Sequence, residues 1–121
     1  MIARFSDPSE TYRRIELDAR VEGADGAGLT RVCLEKAIGE LSRAGPANRT
    51  GNRAVRNEAL TKASAAIAAL IKGVDQANPL REPLLHLYES AIHAVRGALS
   101  DYRQDVIDRV GTDLDDILKI L

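Results

Sequence analysis

Apolar residues recur every three or four positions along most of this chain, and that rhythm divides it into helices. Leu29, Val32, Cys33, Ala37 and Leu41 fall on one helical face, which Leu34 and Ile38 widen. A second stripe runs through Val55, Ala59, Ala63, Ala66, Ile67, Leu70 and Val74. The third is carried by Leu84, Leu87, Tyr88, Ala91, Ile92, Val95, Ala98 and Leu99. Val106, Ile107, Val110, Leu114, Ile117, Leu118 and Leu121 form the last. No stretch shows the alternation of a half-buried strand.

The polar and breaker residues set the boundaries. Asp7-Pro8-Ser9 opens a short segment, and three glycines between Gly23 and Gly28 interrupt it. Ala44-Gly45-Pro46 predicts the end of the first long helix, with Asn48 to Asn52 as its connection. Gly73 lies near the stop of the second, and Asn78-Pro79 reads as N-cap and first position of the third. Pro83 then falls in the second turn. Asp101 and Gln104 have the spacing of a capping box for the last helix.

These marks predict helices over about residues 27–44, 53–73, 79–100 and 103–120, preceded by a segment at 9–20. Four amphipathic helices on short connections bury their faces most simply as an all-α, up-and-down antiparallel four-helix bundle. The segment at 9–20 would be a short N-terminal cap helix or segment, lying across one end of the bundle or along a groove. Residues 1–121 then form one domain, long enough for one core.

Composition agrees and adds exclusions. Aromatics are 3% of the chain with no Trp, so the core must be aliphatic and alanine-rich. The net charge of −1 offers no global field for nucleic acid or an anionic membrane, and no basic stripe or aromatic platform suggests either. No apolar run reaches the roughly 20 residues of a membrane span, and the N-terminus is too polar for a signal peptide. A cytoplasmic location is the expectation. The single cysteine, Cys33, has no partner in the chain for a disulfide and sits within an apolar stripe, as a structural thiol does.

Catalytic chemistry finds little support. Glu82, His86, Glu89 and His93 share one face of the third helix, and a metal- or small-ligand-binding bundle is the alternative they raise. Di-metal bundles, however, draw Glu-x-x-His motifs from two helices facing inward. Here both histidines are on one helix, away from its apolar stripe, which favours a solvated face with local ion pairs. The glycines near Gly26 follow no strand and form no phosphate loop. We expect no enzyme activity, no metal and no cofactor.

Two features suggest a binding module. The run from Ala63 to Ala69 makes the second helix small-sided almost all round. It admits either close docking by another helix or simple helix propensity. The segment containing Tyr12 and Ile15, tethered by the glycines, would be either a displaceable gate or an end cap. A self-associating structural bundle is a further alternative.

The order of the residues resembles the FliS family of flagellar export chaperones. Tyr12 stands in the tyrosine-bearing first segment, and Val21 to Gly26 occupies the place of the family's Val-x-Thr-Ala-Ser-Pro. The helix beginning Leu29-Thr30-Arg31-Val32 follows without a gap, Leu87-Tyr88-Glu89 is similar to the family's Leu-Tyr-Asp, and Ile107-Asp108-Arg109-Val110 to its Leu-Asp-Glu-Val. The likeness spans about residues 9–120. Asp25-Gly26 replaces a Ser-Pro, Leu34-Glu35-Lys36 a Tyr-Asp-Gly, and the C-terminal Trp is missing, so this is a divergent member.

The resemblance implies a cytoplasmic chaperone that takes the disordered C-terminal segment of flagellin, prevents its premature polymerisation and delivers it to the flagellar type III export apparatus. Export-gate components or other flagellar regulators are further expected partners, and the free protein is expected to be a monomer or weak homodimer. Tyr12 corresponds to the family's partner-linked tyrosine. Ile15, Ala63, Ala66, Ile67, Ile71 and Tyr88 complete the expected partner surface, in the helix-in-groove mode.

Overall fold

The computed structural model describes residues 26–121, so the expected cap segment with Tyr12 and Ile15 lies outside the described residues. Within them run four helices: α1 (Gly26–Arg49), α2 (Arg53–Gly73), α3 (Arg81–Gly97) and α4 (Gln104–Lys119). Each packs most closely on two neighbours in a closed ring, α1 on α2, α2 on α3, α3 on α4 and α4 on α1. Side-chain contacts fix the directions. Arg43 of α1 reaches Glu58 of α2 while Asn48 reaches Arg56, and Arg31 near the start of α1 meets the carbonyl of Leu121 beyond the end of α4. The fold is an antiparallel four-helix bundle.

The predicted stripes form its core. Leu34, Ala37 and Leu41 of α1 meet Leu60, Ala63 and Ile67 of α2, Val95 of α3, and Ile107 and Leu114 of α4, all at most 4% exposed. Each fully buried leucine or isoleucine stabilises the fold by about 1.5–3 kcal/mol relative to exposure. The alanines let the backbones approach, which is how a core with few aromatics fills its volume.

Three boundaries differ from expectation. First, α1 does not stop at Pro46 but carries it within the helix and ends at Arg49. Pro46 removes one backbone donor, and the Ser42 carbonyl thus deprived lies on an exposed residue within reach of water. Buried Ala44 and Ala47 hold the extra turn to the core. The chain then reverses at Gly51, whose φ of 75° is the left-handed conformation glycine adopts without strain. Asn52 closes the turn, its N–H donating to Ala47 O at 2.8 Å and its side chain accepting from Val55 N at 3.1 Å.

Second, α3 begins at Arg81, after Asn78-Pro79 rather than on it. The Asn78 side chain accepts from Leu80 N at 2.8 Å and so makes a turn instead of a cap. Pro83 consequently sits in the first helical turn, where its missing N–H has no intrahelical role.

Third, the capping box at α4 does not form. Asp101 is held by Arg103 Nε at 3.0 Å, and Gln104 accepts from the Tyr102 hydroxyl and donates to Asp108, both at 2.8 Å. Arg103 is the N-cap residue, and its side chain makes no capping bond to the helix.

Candidate partner-binding site

The ring closes around the residues expected at the partner surface. Ala63 and Ile67 are completely buried, and Ala66 and Tyr88 are 2% exposed. These four belong to the interior, which corrects the expectation of an accessible alanine-rich face. The run is small-sided because α2 is gripped by α1 on one side and α3 on the other. Burial raises the pKa of the Tyr88 phenol, with a smaller contribution from Cys33. Ile71 is half-buried near the end of α2, so of the expected set it alone keeps surface among the described residues.

Two polar residues are buried with the core, and both are satisfied. Glu40 accepts from Lys36 Nζ at 2.9 Å and Arg43 Nε at 3.1 Å. Arg43 also donates to Glu58 at 3.0 Å, a hydrogen bond that holds the exposed Glu58 carboxyl below its ordinary pKa. Ser64 accepts from Arg96 Nε at 3.0 Å. These are structural links and leave no group poised for chemistry. Glu82, His86, Glu89 and His93 are all exposed along α3, and no cluster suited to a metal ion occurs among the described residues.

Two grooves flank α4. Between α3 and α4, which pack least closely, lies a groove of about 330 Å³. Leu87, Ala91 and Ala94 line it from α3 and Val106 and Val110 from α4, with His86, Arg109 and Asp113 at its edges. Between α1 and α4 lies a larger groove of about 660 Å³. Ile38, Leu41, Gly45 and Pro46 line it from α1, and Ile107, Gly111, Thr112, Asp115 and Asp116 from α4. Gly45 permits a close approach here, since a Cβ would come within 3.2 Å of Gln104 Oε1. Both volumes fall in the range of binding clefts.

A family model described as flagellar protein FliS matches residues 8–121. The chain belongs to the FliS family. No curated protein and no solved structure gives a match to it. Membership places the chain among flagellar export chaperones, a class that binds flagellar proteins and is not enzymatic. No helix of the described residues is long and apolar enough to cross a membrane. The expected partner residues lie on α2, on α3 at Tyr88 and in the N-terminal segment, whereas the two grooves flank α4.

Proposed function

We propose that this FliS-family protein works in the cytoplasm as the export chaperone of flagellin. It holds flagellin's disordered C-terminal segment, keeps the subunit from polymerising early and delivers it to the type III export apparatus of the flagellum. The observation that carries the reading is the family match over residues 8–121. The grooves along α4 support it, because a segment that becomes helical on binding must recover its ordering entropy by burying an apolar face.

In this reading one partner helix lies along Leu87, Ala94 and Val106 between α3 and α4. Ile71 adds apolar surface at the end of α2. Tyr12 joins the contact on the strength of the resemblance, and Ile15 as an apolar residue of the same segment. The partner surface is therefore spread over the outside of the bundle rather than centred on the alanine run.

Calorimetric titration with a flagellin C-terminal segment from the same organism tests this, with circular dichroism following the peptide. Binding with a gain in helicity is the expected outcome. Neither heat nor helicity at high micromolar peptide would refute it.

A further inference from the structure

One end of the larger groove carries positive charge that the fold does not neutralise. There the Arg56 guanidinium lies over the Tyr102 ring, 5.3 Å from its centre, and Arg49 of α1 lines the groove at the same end. Burial raises the Tyr102 pKa most and Asp108 adds to it, while Arg56 and Arg49 both act against them. The two guanidinium groups therefore stand around one ring.

The groove wall at this point is Gly45. A Cβ there would come within 3.2 Å of Gln104 Oε1, 3.4 Å of Gln104 Nε2 and 3.5 Å of Arg49 Nη1. The missing side chain lets the Arg49 guanidinium stand beside the Gln104 amide. Gln104 is fixed in place, accepting from the Tyr102 hydroxyl and donating to Asp108, both at 2.8 Å. Arg49 itself makes no side-chain hydrogen bond or ion pair among the described residues.

Arginines elsewhere find acids within the fold. Arg43 meets Glu40 and Glu58, Arg81 meets Glu82, and Arg103 meets Asp101. Arg56 is satisfied by neutral amides instead, donating to Asn48 Oδ1 at 2.9 Å and to Asn57 Oδ1 at 3.2 and 3.1 Å. The nearby Asp108 carboxylate is engaged by Gln104 and makes no ion pair among the described residues. A place at the C-terminal end of α1 suits Arg49 to the helix dipole, but it does not account for Arg56 beside it. Two like charges around one ring repel, and an anion held at Arg49 relieves that repulsion.

We infer that this corner, Arg49 with Arg56 behind it, captures the chain-terminal carboxylate of the exported partner. A planar guanidinium pairs with a carboxylate through two parallel N–H···O bonds, which recognise the group and fix its direction. The inference rests on the chaperone reading above, since a bound C-terminal segment brings one free terminal carboxylate to the bundle. It adds a fixed point that sets where the segment ends.

The test uses the full-length protein and the flagellin C-terminal segment in two forms, one with a free terminal carboxylate and one amidated. Amidation by itself favours a helical peptide, because it removes negative charge from the helix C-terminus. A preference for the free acid therefore reports recognition by the protein. We expect the free acid to bind at least about fivefold more tightly at low salt, with the gap narrowing as salt rises. In Arg49→Gln the gap should close through weaker binding of the free acid, with the amide's affinity and the melting temperature unchanged. Equal affinity of the two peptides for the unaltered protein, or an undiminished gap in Arg49→Gln, overturns the inference and leaves the chaperone function standing. An equal loss for both peptides in Arg49→Gln also overturns it, and assigns Arg49 to an acidic side chain within the segment. Binding of neither peptide by the unaltered protein overturns both readings.

Discussion

Arg96 on α3 donates its Nε hydrogen to the hydroxyl oxygen of Ser64 on α2 at 3.0 Å. Ser64 is buried, in an alanine-rich helix that otherwise offers α3 only apolar contact. The hydroxyl therefore adds a polar link to this contact, and its partner Arg96 reaches it from an exposed position. Replacing Ser64 by Ala should cost about 1 kcal/mol, and because Arg96 is exposed its guanidinium can turn to water. A double-mutant cycle with Arg96→Ala checks this, and independence of the two changes would count against the link.

Ile67 and Leu60 have no accessible surface. Truncating either to Ala should destabilise the bundle by about 2–5 kcal/mol, through lost burial and the cavity left behind. Ile120, 76% exposed, should tolerate the same change within about 0.5 kcal/mol. Denaturant melts supply the comparison. An Ile67→Ala protein of full stability but poor partner binding would return Ile67 to the surface.

Gly51 adopts φ 75° with open space where a Cβ would be. The cost of Gly51→Ala is therefore backbone strain alone, about 1–2 kcal/mol. Asn at this position should recover part of it, since Asn tolerates the left-handed conformation. Thermal unfolding of the two variants, which share the same open environment, reads the difference directly.

The buried Tyr88 phenol is held above its ordinary pKa of 10.0. Above about pH 10 the folded chain thus keeps a proton that the unfolded chain releases, so stability must fall as pH rises through this range. Tyr102 is shifted the same way, chiefly by burial, with Asp108 adding to it against Arg56 and Arg49. Tyr88→Phe should flatten the alkaline decline measured between pH 9 and about pH 11. An identical slope in the variant would show that other groups cause it.

Much of the fold was legible in the chain. The stripe Leu34, Ala37 and Leu41, and the stripe Ile107, Val110, Leu114 and Ile117, must turn inward whatever they meet, because burying an apolar face is the dominant favourable term in folding. Helix ends were less legible. Pro46 reads as a stop by its local chemistry, yet one lost hydrogen bond at a solvated carbonyl is smaller than the burial of the next turn. Asn78, Asp101 and Gln104 all had partners available other than the caps assigned to them.

By itself the sequence determined the four helices of the described residues, the antiparallel bundle their short connections impose, and the family to which the order of its residues belongs. Which faces stay open was decided only in the tertiary structure. An alanine has the same helix propensity whether exposed or gripped between neighbours, so although the apolar stripe runs through Ala63, Ala66 and Ile67, the alanine run around them reads equally as a docking face until their burial is seen. That depended on α1 and α3 closing over α2 from distant parts of the chain. The same closure left α4 flanked by grooves, where Gly111 and Asp116 become a surface only because Ile38 and Pro46 stand opposite.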